Sequence, residues 1–393
     1  VGAEGNATNV GTLAAEAGRI GMAGVLVKNS GSVNASSVVR EGGRVFLRAS
    51  KDAYLDGAGR IVATGTKGGS VEVLGSNVAL GKESAVDVSG QTDGGDILLL
   101  SDMKQGVTTV AGNLAAKGGA QGGNGGFIET SGAHVKIVEG AHVSTLAANG
   151  KTGTWLIDPN DYKIDSVANG GNMTGAAVAA ALDGNDLIIE TATQGTAGGN
   201  GDIFVNEAIA KTGAAETTLT LKAERSVNVY APITSANSKL NVTLQAHALN
   251  DTAPGSVTVI GDILTNGGNV VIGGGINPLL TPAIGYEVSP HGVIISGALI
   301  STKGGNISIR GQGGSTANGG VGVALDYAQL HAIDGSISVT GYGGGGTDGN
   351  VGVRVEGASV VRTGGALTIT GTGGAGTASA NSGVLLSGRF DYD

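Results

Sequence analysis

Residues 42–100 read GGRVFLRASKDAYLDGAGRIVATGTKGGSVEVLGSNVALGKESAVDVSGQTDGGDILLL. Within this stretch Gly42-Gly43-Arg44-Val45-Phe46-Leu47, Gly68-Gly69-Ser70-Val71-Glu72-Val73 and Gly94-Gly95-Asp96-Ile97-Leu98-Leu99 recur at a spacing of 26 residues. Each opens on a glycine pair and continues as a short run alternating in period two. Shorter runs, Val78-Ala79-Leu80 and Val86-Asp87-Val88, stand between them. Alternation places every second side chain on one face. Val71, Val73, Val86 and Val88 are therefore expected to point into a core, with Glu72 and Asp87 outward. A period of this length, holding several strands and glycine turns, is one coil of a solenoid.

Downstream, the same reading meets Gly125 to Asp165, GGFIETSGAHVKIVEGAHVSTLAANGKTGTWLIDPNDYKID, which carries the single tryptophan. Phe127-Ile128-Glu129, Val135-Lys136-Ile137 and His142-Val143 are short strands between turns. Gly153-Thr154-Trp155-Leu156-Ile157 then runs into Asp158-Pro159-Asn160-Asp161, where proline withholds a ladder donor and the Asx residues favour a turn. Trp155, Asp158, Pro159 and Asp161 thus form a structural motif that stops the strand train.

The pairing of GGFIETSG with GTWLIDPNDY resembles the signature of exoproteins of the two-partner secretion pathway, relatives of filamentous haemagglutinin and the high-molecular-weight adhesins. Gly18-Arg19-Ile20-Gly21 through Leu47 resembles the end of that family's secretion domain. The resemblance implies a right-handed parallel β-helix, secretion to the bacterial cell surface and an adhesive role. It also implies an outer-membrane transporter as partner. The family's Asn-Pro-Asn motifs and preceding strands are not in this sequence, so the chain is expected to be an internal piece of a longer protein, engaging the transporter through the missing N-terminal part.

Composition supports an all-β solenoid independently. Glycine supplies 75 of 393 residues, cysteine none and proline 6, which leaves neither a disulfide scaffold nor a collagen period. Hydrophobic residues reach 40% but aromatics only 3%, so the core must be built from Val, Ile, Leu and Ala. A net charge of −9, with no basic run, disfavours nucleic acid. No apolar run approaches the roughly 18 residues of a membrane span, so no span is expected. Val1 to Asn9 lacks the charged start and apolar stretch of a signal peptide.

Residues 1–124 are read as the end of a secretion-type β-helix and 125–165 as junction coils. In 166–275 the Ala-rich run Thr174–Leu182 predicts a short external helix, near 174–182, ended by Asp183-Gly184. Strands follow at Asp186–Glu190, Gly201–Val205, Thr218–Leu221, Val227–Val229, Leu240–Leu244 and Val257–Val259. Residues 276–292, INPLLTPAIGYEVSPHG, hold three of the six prolines and no alternation, and are expected to protrude. In 293–393 the period lengthens to 30: Ile307-Ser308-Ile309, Ile337-Ser338-Val339 and Leu367-Thr368-Ile369 recur, as do Val321-Gly322-Val323 and Val351-Gly352-Val353. Coils of 26 to 30 residues stacked at about 4.8 Å would make roughly 13 to 15 coils and a rod of about 65 to 70 Å.

Chemistry-bearing patterns are weak. Asp158, Asp161 and Asp165 cluster near Trp155 and could serve a glycan-cleaving enzyme, but a turn-forming role accounts for them, and no enzyme activity is expected. Gly198–Asp202 and Gly343–Asp348 lack the tandem aspartates of calcium-binding β-rolls. Gly371–Gly376 fits GxGxxG without a following helix. His134, His142, His247, His291 and His331 lack metal spacing, so neither metal nor cofactor is expected. Asn-x-Ser/Thr sequons stand at Asn6, Asn34, Asn172, Asn241, Asn250 and Asn306. The expected function is an adhesin rod that attaches to host cells, matrix or biofilm exopolysaccharide, with loops contacting a host-surface protein or a glycan. Capture of a haem-carrier protein and a purely structural stalk are the alternatives. The candidate contact residues are Tyr286 and His291 on the proline loop, then Tyr327 and Tyr342 on the 30-residue coils.

Overall fold

The computed structural model describes residues 5–192, 199–249, 254–315, 319–377 and 379–388. The chain divides into two compact units, Val1–Asp161 with Ser166–Gly199, and Tyr162–Asp165 with Asn200–Asp393. Each is a parallel β-solenoid, all-β apart from one α-helix and one 3-10 turn among the described residues. The first unit holds the segment expected at 1–124 and residues 125–161 of the junction coils; the main division falls after Gly199, and Tyr162–Asp165 joins the second unit.

In the first unit, sheet A stacks Ala7–Asn9, Val27–Asn29, Asp52–Leu55, Asn77–Leu80, Val107–Val110 and His134–Ile137. Sheet B stacks Thr12–Ala14, Ser32–Asn34, Arg60–Val62, Ala85–Asp87, Asn113–Ala115 and His142–Ser144. Sheet C runs from Arg19–Gly24 through Arg44–Ala49, Ser70–Leu74, Asp96–Leu100, Phe127–Ser131 and Thr154–Asp158 to Asp186–Glu190. The 26-residue period becomes strand register, pairing Val45 with Val71 and Val71 with Ile97. One buried column therefore reads Ile20, Val45, Val71, Ile97, Ile128, Trp155, Leu187. Burying each aliphatic side chain contributes about 1.5 to 3 kcal/mol. Val71, Val73, Val86 and Val88 are all inside, as their alternation requires. Outside, Glu72 receives the Arg48 guanidinium at 2.9 Å.

The glycine pairs have a steric cause. A Cβ on Gly69 would stand 2.2 Å from the Gly43 carbonyl oxygen, on Gly95 2.0 Å from that of Gly69, and on Gly126 2.0 Å from that of Gly95. Consecutive coils turn from sheet B to sheet C with their backbones touching, and only glycine leaves the space.

The motif at Trp155 extends sheet C before leaving it. The Asp158 carbonyl accepts the Gly132 amide at 3.1 Å, and the Pro159 carbonyl accepts the Ala192 amide at 3.0 Å. The helix α1, Gly175–Leu182, then replaces strands rather than decorating a coil. Thr174 Oγ1 caps it by accepting the Ala177 amide at 3.2 Å, and Val178 and Leu182 are fully buried. Before it, Asn172 presents its carbonyl to the Ile137 amide at 2.9 Å; after it, Gly184 does the same for Thr145 at 3.0 Å. Asn185 Nδ2 donates to Val143 O at 2.8 Å and Ala181 O at 2.7 Å. The segment thereby satisfies the free edges of the last strands of sheets A and B.

In the second unit, sheet D stacks Tyr162–Ile164, Ile203–Val205, Val227–Val229, Val257–Val259, Val293–Ser296, Val323–Asp326, Val353–Gly357 and Val384–Gly388. Sheet E stacks Ile209–Lys211, Ile233–Ser235, Ile263–Leu264, Leu299–Ser301, Gln329–Ala332 and Val360–Thr363. Sheet F stacks Thr217–Lys222, Leu240–Ala246, Val270–Gly274, Ile307–Gln312, Ile337–Tyr342 and Leu367–Thr372. The 30-residue period again is register: Ile307 pairs with Ile337 and Ile337 with Leu367. About 12 turns form in all, fewer than length divided by period suggests. The difference is the chain spent on the α1 segment and on long excursions such as 276–292. Those excursions bring a second, outer cluster: Val321 and Val351 fold back with Ala324, and Ile294 and Leu385 pack against them.

Candidate functional site

The second unit holds all four of the proposed contact residues, each in a different setting. Residues 276–282 form an ordered turn. The Asn277 carbonyl accepts the Leu280 and Thr281 amides at 2.9 and 2.8 Å, and Gly274 N donates to Thr281 O at 3.0 Å. Gln245 Nε2 donates to Gly275 O at 2.6 Å, and Arg310 Nε to Leu279 O at 3.2 Å. At its tip Ile276 is 71% and Leu280 72% exposed, with Leu279 also exposed.

The rest of the proline loop does not stand free. Ala283–Ile284 pairs with Gly311 and Gln312 beside sheet F, and Pro282 O lies 2.8 Å from His247 Nε2. Tyr286, expected as a contact residue, turns back on the coils. Its hydroxyl is 3.2 Å from Ser226 Oγ, and the Arg225 guanidinium lies 5.7 Å from its ring centroid. Arg225 is itself fixed by Asp202, Nε to Oδ1 at 2.9 Å and Nη2 to Oδ2 at 2.5 Å. Ser289 Oγ, 2.9 Å from Ser256 Oγ, completes the fastening. The exposed residues of this part are Glu287 and Val288, the latter at 82%.

His291 occupies a structural column. It stands 30 residues before Val321 and 60 before Val351, and its neighbours Val293, Val323 and Val353 are paired in register. Its Nδ1 accepts the Val321 amide at 3.2 Å. Burial pushes the imidazole below its ordinary pKa, the Arg354 guanidinium adds to that, and the Asp326 carboxylate opposes it.

Tyr342 lies on the outer face of sheet F, partly exposed, its hydroxyl accepting from Arg310 Nη1 at 3.4 Å. Tyr327 is different from the other three. It is 66% exposed and has φ +54°, in the left-handed region. Its register partners are glycines: the pairing of Ser296 with Asp326 and of Asp326 with Glu356 sets Tyr327 between Gly297, φ +67°, and Gly357, φ +68°. The ring lies against Gly357, where a Cβ would come within 2.7 Å of it. Beside it, Arg354 Nη2 meets Asp326 Oδ2 at 3.2 Å, and Arg354 Nε meets Glu356 Oε2 at 3.3 Å. The structure thus brings His291, Asp326, Arg354, Glu356 and Tyr327 to the outer side of sheet D, whereas Tyr286 and Tyr342 belong elsewhere.

Asp326, Arg354 and Glu356 were not among the sequence candidates. Their signal was available: the 30-residue register aligns Asp326 with Glu356 and exposes Tyr327 as the one bulky residue in a glycine position. In the first unit an open groove is lined by Lys67, Asp93, Asp96, Asn124, Phe127 and Lys151. Burial raises the Asp96 carboxyl there, with Lys67 opposing. Among the described residues no group of three or more His, Cys, Asp or Glu side chains could hold a metal ion, and no helix is long and apolar enough to cross a membrane. The sequon at Asn250 and Gly198 of the calcium-like stretch lie outside the described residues. Asn241 and Asn306 belong to a side-chain ladder: Asn241 Oδ1 accepts the Asn269 amide, Asn269 Oδ1 that of Asn306, and Asn306 Oδ1 that of Ser336, at 2.8 to 2.9 Å.

No protein-family model matches the chain, and no curated protein matches it.

Proposed function

We propose that this chain is an adhesive segment of a secreted bacterial surface protein of the two-partner secretion kind, attaching to host surfaces or to exopolysaccharide. The observation that carries the reading is the pinned turn at 276–282, which raises Ile276, Leu279 and Leu280 off a rigid ladder. Exposed aliphatic clusters held by ordered backbone mark contact sites, and a fixed conformation lowers the entropy lost on binding. The resemblance of GGFIETSG and GTWLIDPNDY to that family supports the same reading, and the parallel solenoid is compatible with it. Binding by loops on a stiff scaffold uses no chemistry beyond shape, hydrogen bonding and apolar contact.

The test is retention of chain-coated beads on epithelial monolayers, matrix proteins and exopolysaccharide under flow. Retention on one of these, reduced when Ile276, Leu279 and Leu280 are all changed to Ser, is the expected result. Beads that wash off every surface as bare beads do would leave the chain as a spacer.

A further inference from the structure

We propose that Tyr327 is the stacking platform of a neutral-hexose subsite at the edge of sheet D; this rests on the adhesive reading and names its ligand class and place. Two independent observations meet at this residue. First, Tyr327 holds φ +54° between glycines at +67° and +68° in register above and below it. A bulky residue in the left-handed region costs about 1 kcal/mol or more, and such costs persist where the side chain has a task. Nothing in the coil requires a side chain there, since the neighbouring coils turn the same corner with none.

Second, the ring is open to solvent. It rests on Gly357, and two-thirds of the residue faces solvent. Flat exposed tyrosine faces suit the apolar face of a pyranose ring, whose axial C–H groups pack on the ring while its hydroxyls point sideways. Hydrogen-bonding groups neighbour Tyr327 in sequence and register. Asp326 precedes Tyr327 in sequence, and Glu356 is one rung away, about 4.8 Å. A single guanidinium, that of Arg354, serves both carboxylates, which leaves each with lone pairs to accept from sugar hydroxyls.

Charge decides between neutral and acidic sugars. Two carboxylates face one guanidinium, and the whole chain carries −9. An uronate or sialylated chain would be repelled; a neutral hexose polymer would not.

The experiment is affinity electrophoresis of the full chain in native gels containing a soluble glucan, mannan or galactan, with alginate as the anionic comparison. At least one neutral polymer retards the wild type, and Tyr327→Gly weakens that retardation by about tenfold or more in Kd while keeping the wild-type melting temperature or raising it. Tyr327→Phe retains most of the binding, and Glu356→Gln reduces it. Retardation of Tyr327→Gly equal to wild type overturns the subsite while leaving bead adhesion intact as a separate result. Failure of all three neutral polymers, or retardation by alginate alone, overturns it as well.

Discussion

Trp155 shows how a single residue is accommodated in an aliphatic column. The parallel column beside it reads Met22, Leu47, Val73, Leu99, Thr130, Ile157, Ile189, with one polar member. Trp155 Nε1 donates to Thr130 Oγ1 at 3.1 Å, both groups being buried. Thr130→Val preserves shape and orphans the indole N–H, so a loss of about 1 to 3 kcal/mol is expected. Chemical unfolding of the variant against wild type checks this, and an unchanged midpoint would sink the account of Thr130. His291 supplies a second residue-scale expectation. Its folded pKa lies below the unfolded value of about 6.5, so the unfolded chain binds the extra proton first. Stability is then full above about pH 6.5 and declines as the pH falls from there toward the folded pKa. Protonation would also end acceptance of the Val321 amide, with Arg354 and Asp326 the charged groups nearby. Replacing His291 by Val, the residue at the same place in the next two coils, is expected to flatten the melting temperature between pH 7.5 and 5.5 relative to wild type. A slope unchanged by the substitution would assign the titration elsewhere. Neither residue was fully legible beforehand. Trp155 reads as a motif but not as a core member, because alternation gives a face and no partner. His291-Gly292-Val293 did repeat as Val321-Gly322-Val323, yet its prolines and missing alternation made the segment look like free loop.

At the scale of elements, the period was legible because sterics enforce it. Gly-Gly at 26 residues marks the place where coils touch, and the x-Gly-Val triplets at 30 residues do the same in the second unit, where a Cβ on Gly322 would stand 2.4 Å from Tyr342 N. Gly95→Ala is accordingly expected to cost about 3 kcal/mol, whereas Gly57→Ala, with open space around it but φ +52°, should cost about 1 kcal/mol. Thermal denaturation of the two variants would separate close approach from backbone conformation; equal losses would contradict the steric explanation. The helix was also legible, from its alanines and the Asp183-Gly184 that ends it. Its task was not, since sequence does not reveal which strand edges lie unpaired beneath it. The candidate contact residues fared unevenly for a similar reason. Aromatic identity flagged Tyr286, Tyr327 and Tyr342 alike, and only register and burial separate a tyrosine fastened to Arg225 and Ser226 from one lying open on Gly357.

Across the whole molecule, stability resides in the interior ladders, and the proposed recognition lies in what the coils raise outward. The apolar turn at 276–282 and the edge around Tyr327 both stand outside the buried columns, so either can be altered without disturbing a column. An array of immobilised glycans, exopolysaccharides and matrix proteins, probed with the intact folded chain, bears on this without intermediate steps. Saturable binding to a restricted set of ligands is predicted, weakened on Tyr327→Gly or on changing Ile276, Leu279 and Leu280 to Ser, with the circular dichroism of each variant at wild-type values and its melting temperature at or above wild type. No saturable binding to any ligand on the array, or binding that both variants retain in full, would contradict it.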